Sequence, residues 1–142
     1  MPKKILRHID IFPKIPIHPV GLNSVKFFIG QPFEYYCDAR YILNLKKYIE
    51  KIKCDYYIKH PQESFPLVNT IPLLNKNACI AEEAIFKICG TARPTIIGGF
   101  SSVLMNISQD VADKVMVLRY AVEEDAYYAE LGMKAGCKIT YL

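Results

Sequence analysis

Three short stretches of this chain carry side chains that can act on an anion or a hydroxyl. His60 stands directly before Pro61, which biases it toward an extended conformation and holds its ring at the tip of whatever element precedes it. An imidazole titrates near neutrality, so in that position it can neutralise a phosphate or donate a proton to one. A partly exposed loop histidine is the plainer alternative. Ser101 and Ser102 follow Gly98-Gly99-Phe100. Glycines let a ligand approach the backbone, and the N–H groups that open a helix attract anions, to which two hydroxyls would add donors. A serine N-cap behind a tight glycine turn accounts for the same residues without a ligand. Glu82 and Glu83 open a helical stretch, where they either offset the helix dipole or accept hydrogen bonds from ribose hydroxyls. Asp38 divides in the same way, between N-cap and general base.

These residues can cooperate only if the fold brings their segments to one place. Val25-Lys26-Phe27-Phe28-Ile29 is a short run of β-formers stopped by Gly30-Gln31-Pro32. From Ala39 to Ile52 the period changes: Ile42, Leu45, Ile49 and Ile52 share one helical face, with Lys46, Lys47, Glu50 and Lys51 opposite. Asp55 to Lys59 reads as a second strand, ended by His60-Pro61. Strand, amphipathic helix, strand is the signal for a parallel βαβ unit. The alternation continues with a helix at Glu82–Cys89, a turn at Gly90–Pro94, a strand at Thr95–Ile97 and a helix at Ser101–Ile107. A strand at Val115–Leu118, a helix at Glu124–Lys134 ended by Gly136, and a strand at Lys138–Tyr141 complete it. This pattern predicts a three-layer α/β domain of doubly wound type. In such sheets ligands bind beyond the carboxyl ends of the strands. Gly30-Gln31-Pro32, His60-Pro61-Gln62-Glu63 and the Gly98–Ser102 turn all fall at such ends. None is a Walker or GxGxxG motif, which argues against nucleoside triphosphatases and NAD(P) enzymes.

Composition narrows the class further. With 142 residues, 51% hydrophobic and 23% charged, the chain suits one soluble domain with a proper core and is not disordered. The longest weakly polar run, Thr95 to Ile107, is broken by Ser101 and Ser102 and is shorter than the roughly 20 apolar residues of a membrane span. No secretory signal opens the chain. The formal charge of +4 is mild, and its lysines read as helix faces and an N-terminal tail, with no nucleic-acid-binding signature. The five cysteines (Cys37, Cys54, Cys79, Cys89, Cys137) form no two-residue-spaced pair, and they read as reduced, packed thiols of a cytoplasmic protein. His8, His18 and His60 are too scattered for a metal site. Four prolines among residues 1–24 predict a linker or extended segment there, ahead of a domain over 25–142.

Taken in order, the His60-Pro61 pair after a Tyr-rich strand, the Ala81-Glu82-Glu83-Ala84-Ile85-Phe86 helix start and the Gly98-Gly99-Phe100-Ser101-Ser102-Val103-Leu104 turn resemble the nucleotide-binding half of bacterial sialyltransferases. The similarity is to glycosyltransferase family 52, the lipooligosaccharide sialyltransferases, with kinship to the bacterial polysialyltransferases. Phe28-Ile29-Gly30-Gln31-Pro32 resembles the first strand of that half, and the resemblance covers most of residues 24–142. It implies a Rossmann-like domain with a mainly parallel sheet, the C-terminal half of a GT-B fold. It further implies an inverting, metal-independent transfer of sialic acid from CMP-sialic acid to a galactoside or glycan acceptor. By resemblance, His60 contacts the donor phosphate and assists departure of CMP, and Ser101 and Ser102 bind that phosphate. Glu83, or its neighbour Glu82, holds the ribose, and Asp38 deprotonates the acceptor. Gly30, Pro61 and Gly99 complete the substrate-binding set. No cofactor beyond the donor is implied. Because only 24 residues precede the first matching strand, the chain is expected to be a fragment lacking the acceptor-binding half, or a half that pairs with a partner domain or a second copy. The expected location is the cytoplasm, with peripheral association at the inner membrane. The alternative, from another class, is a non-catalytic module that binds CMP and transfers nothing; a third is a structural α/β domain whose polar strand ends are only caps.

Overall fold

In a computed structural model, which describes residues 25–74 and 80–142, the regular elements follow the hydrophobic pattern closely. Strand β1 spans Lys26–Ile29, and a single 3-10 turn at Phe33–Tyr35 follows it. Helix α1 runs Ala39–Ile52: Asp38 Oδ1 accepts the Tyr41 N–H at 2.8 Å to start it, and Lys53, at φ +53°, ends it in the left-handed region. Then come β2 (Tyr56–Ile58), α2 (Ala81–Cys89), β3 (Thr95–Gly98), α3 (Ser102–Asn106), β4 (Asp113–Leu118), α4 (Glu123–Lys134) and β5 (Lys138–Tyr141). Gly136, at φ +84°, makes the turn out of α4 that a side-chain-bearing residue would adopt only under strain. The expected elements appear in the expected order, with ends displaced by a residue or two. The expected segment 1–24 lies outside the described residues, as does Cys79.

All five strands are parallel, in the order β2-β1-β3-β4-β5. The chain leaves β1 for β2 on one side, then crosses back over β1 to β3. Right-handed crossovers therefore place α1 on one face and α2, α3 and α4 on the other. The core divides accordingly. Phe27, Ile29, Ile85, Phe86, Leu104, Met116 and Ala129 pack on the three-helix face. Phe28, Tyr41, Leu45, Ile49, Tyr57, Ile97 and Val117 pack on the other. Leu45 and Ile49 are fully buried, each worth about 1.5–3 kcal/mol by area removed from water.

The α1 face is completed by a stretch without any periodic signal. Leu67, Val68 and Ile71 are buried there, and Leu73 forms a parallel bridge to Tyr57. Tyr57 N–H donates to Pro72 O and Leu74 N–H to Tyr57 O, both at 2.9 Å, so the outer edge of β2 is paired rather than open. Cys54, Cys89 and Cys137 are buried free thiols and Cys37 is half-buried. Burial raises all four thiols, Cys37 to about 11. Among the described residues no helix is long and apolar enough to cross a membrane.

Candidate functional site

Parallel strands all point the same way, so the segments after β1, β2, β3 and β4 emerge at one edge of the sheet. Helices α1, α2 and α3, which run back, begin at that edge. Asp38, His60, Pro61, Glu82, Glu83, Gly99, Ser101 and Ser102 all stand there, with Gly30 at the exit of β1. The reversal of strand order lies between β1 and β3, where the crevice of a doubly wound sheet opens. Gln31 spans it: its Nε2 donates to Phe100 O at 2.5 Å, and its Oε1 accepts from the Tyr36 hydroxyl at 3.2 Å.

His60 is held from behind. Its backbone N–H donates to Glu63 Oε1 at 2.8 Å, and its Nδ1 accepts the Gln62 N–H at 3.0 Å. With Nδ1 serving as acceptor, the neutral ring carries its proton on Nε2, the nitrogen left to meet a ligand. Pro61 is exposed beside it. Glu63 is buried, 6% exposed, and its Oε2 accepts from the Tyr57 hydroxyl at 2.7 Å, which in turn accepts the Leu67 N–H at 3.0 Å. Burial raises the Glu63 carboxyl above the usual range, against the hydrogen bonds from His60 and Tyr57 that lower it. The sequence reading passed over Glu63. Its only local signal was its place three residues beyond a strand-end histidine.

The two glycines have packing reasons as well. A Cβ on Gly30 would meet the Glu63 carboxylate and the Tyr57 ring, and one on Gly99 would lie 2.7 Å from Gln31 Oε1. Their bareness therefore seats Glu63 and Gln31, whatever else it admits. Ser101 caps α3, its Oγ accepting the Leu104 N–H at 3.3 Å, which leaves its own O–H free to donate. Ser102 is exposed. Glu82 and Glu83, half-buried, occupy the first turn of α2, whose N-cap Ile80 supplies no side-chain bond. Asp38 is exposed and spends Oδ1 on its cap, leaving Oδ2 available. At Asp38 and Ser101 the capping reading is thus realised with an atom to spare for chemistry.

A second feature of this edge went unread in the sequence. Asp125, 4% exposed, binds Arg119 through Nε at 3.0 Å and Nη2 at 2.8 Å, and also accepts the Arg119 N–H at 2.7 Å. Hydrogen bonding to Asp125 raises the Arg119 guanidinium further above its already high range, so the cation is permanent. Arg119 Nη1 also donates to Tyr36 O at 3.0 Å, tying the exit of β4 to the approach to α1. Between these elements lies a cavity of about 220 Å³ with aromatic walls. Among the described residues no group of three or more His, Cys, Asp or Glu side chains is arranged to hold a metal ion.

Comparison with known proteins adds to this geometry. The sequence profile of glycosyltransferase family 52 matches residues 3–122, a span that includes every candidate site residue. An N-acetyllactosaminide alpha-2,3-sialyltransferase of Haemophilus influenzae is 28% identical over 137 aligned residues, covering 84% of this chain and 43% of that protein. The chain thus spans less than half the length of this curated relative.

Proposed function

The chain belongs to glycosyltransferase family 52, and on that premise we propose that it is the donor-binding half of an inverting sialyltransferase, using CMP-sialic acid and a galactoside acceptor. The family match over residues 3–122 carries this reading, because it spans His60-Pro61, Glu82-Glu83 and Ser101-Ser102 together. The named activity of the Haemophilus relative supports the choice of sugar and acceptor. A further segment or a partner chain supplies the acceptor-binding half in this proposal.

The chemistry follows from where charge develops. Asp38 takes the proton of the acceptor hydroxyl through its free oxygen. The hydroxyl oxygen bonds to the anomeric carbon on the face opposite CMP, and the bond from that carbon to the phosphate oxygen breaks. The electron pair leaves with CMP, and the anomeric configuration inverts. Negative charge then grows on the phosphate, where His60 Nε2–H and the hydroxyls of Ser101 and Ser102 donate. Donors aimed at developing charge stabilise the transition state more than the ground state. They do here what a cation does elsewhere, so the proposed transfer is metal-independent. Glu83, with Glu82 beside it, accepts from the ribose hydroxyls and sets the nucleotide's register.

Calorimetric titration of the chain with CMP tests this reading, repeated with Ser101→Ala and Ser102→Ala. Saturable binding that weakens in both variants is the expected result. Ser101→Ala should also cost about 1 kcal/mol of stability through the lost cap, and Ser102→Ala should not. No binding of CMP at millimolar concentration would overturn the assignment of a donor site to this chain. Binding that survives both substitutions would move the phosphate elsewhere.

A further inference from the structure

The aromatic cavity between the entries to α1 and α4 is not used by the donor in the mechanism above. We infer that it seats the terminal neutral hexopyranose of the acceptor, an inference that rests on the proposed transfer. Four observations point there.

The first is size and lining. The cavity, about 220 Å³, is smaller than the roughly 300–1,000 Å³ of sites for drug-sized ligands, and suits a single ring. Tyr36, Tyr41 and Phe100 contribute walls, and Phe100 is fixed by stacking on Tyr128 with centroids 4.2 Å apart and planes 10° apart. Flat apolar walls suit the C–H faces of a pyranose. The second is an unspent donor. Tyr41 is only 7% exposed, yet its hydroxyl has no hydrogen-bond partner among the described residues. Burial and the neighbouring Cys37 thiol raise it, so it stays protonated and can donate. A buried phenol beside a cavity needs a partner, and a sugar hydroxyl supplies one.

The third observation decides the charge of the ligand. Arg119 lines the cavity but is committed: Asp125 grips it through both carboxylate oxygens, and Tyr36 O takes another donor. An anionic sugar or a phosphate finds no uncommitted cation there. The rim offers acceptors instead, since the Glu124 side chain is 61% exposed and only 3.5 Å from Arg119 Nη2. A donor, an acceptor and aromatic walls without net positive charge suit a polyol ring and not the sialic acid. The fourth is position. Cys37 in the cavity wall directly precedes Asp38, so a ring seated here has a hydroxyl beside the proposed base.

The test is a nuclear magnetic resonance titration of the 15N-labelled chain with N-acetyllactosamine, with CMP and with free sialic acid as separate probes. N-acetyllactosamine should shift Tyr36, Cys37, Phe100 and Arg119 saturably, whereas CMP should shift His60, Ser101 and Ser102. Tyr41→Phe should weaken the disaccharide by up to about tenfold, the cost of one lost hydrogen bond, and leave CMP affinity alone. Glu124→Gln, an exposed change that does not threaten folding, should also weaken the disaccharide. If the disaccharide moves none of these residues at high millimolar concentration while CMP binds, the inference fails and the donor reading stands. If CMP or sialic acid fills the cavity instead, the inference fails as well. If the disaccharide fills it and CMP binds nowhere, the sugar seat stands and the donor reading falls.

Discussion

An arginine knots each end of this sheet, and the two knots differ in what surrounds them. At the amino edge, Arg93 donates to Asp113 Oδ1 at 3.0 Å and to the carbonyls of Asp110, Gln109 and Ala112 at 2.8, 2.6 and 3.2 Å. Nearby, buried Lys114 places Nζ on Leu104 O and Ile107 O, both at 2.6 Å, closing the end of α3. Polar groups at that edge are used up holding loops down. At the carboxyl edge Arg119 is as fully committed, but around it polar atoms stay free: His60 Nε2, one oxygen of Asp38, the Ser101 O–H and the Tyr41 hydroxyl. Exposed aromatics cluster there too, with Tyr35 and Tyr120 at 76% and Phe65 at 79%. The same layers of helix and strand thus support a closed end and an open one. Ligand chemistry belongs where the donors are unspent.

Substitution should separate the two ends. The largest effect is expected from His60→Ala. In a transfer assay with CMP-sialic acid and N-acetyllactosamine, run with the acceptor-binding half present, loss of a group donating to the leaving phosphate costs about 10²–10⁴-fold in rate. The urea midpoint should stay where it was, because the ring's one bond within the protein is to an exposed backbone N–H. A change in stability without a change in rate would make His60 a loop residue and blur the contrast. Next in size is Lys114→Met, which keeps the stem and removes the ammonium. It leaves two buried carbonyls unsatisfied, at about 1–3 kcal/mol each before relaxation, and should lower the urea midpoint. CMP affinity should not change. If it does, the amino edge reaches the site through α3, and the two ends are coupled.

How much of this could be read beforehand depends on the range of the interactions. Helix α1 was legible to the residue, because Asp38 and the Ile42, Leu45, Ile49 and Ile52 period act within a few positions of each other. The strand ends were legible because glycine and proline interrupt pairing locally. The order of strands was not, so nothing in the sequence could say that Gln31 would reach Phe100 or Arg119 would reach Tyr36, 69 and 83 positions away. The stretch around Leu67 to Leu73 carries no period, and its burial is decided by the open face that α1 leaves. Ser101 and Asp38 show a subtler limit. Capping and chemistry ask for the same residue types, and only the atoms left over distinguish them.

Glu63 marks the boundary of the open end, and the smallest predicted effect lies there. It sits at the carboxyl edge yet is spent inward, with one oxygen on the His60 N–H and the other accepting from Tyr57. Burial outweighs these bonds and raises its folded pKa above that of the unfolded chain. Between the two values the folded state binds more protons than the unfolded one, so stability falls as pH rises. The contribution is fully present below the ordinary carboxylate pKa and is lost as pH rises through the folded one. Glu63→Gln keeps the shape and removes the titration. Urea unfolding of both proteins from pH 4 to pH 7 should show the wild-type chain losing ground to the variant as pH rises, within about 1 kcal/mol. The opposite slope would mean that the two hydrogen bonds outweigh desolvation. Glu63 would then be a carboxylate the site draws on, and the open end would extend one residue deeper than the geometry assigns.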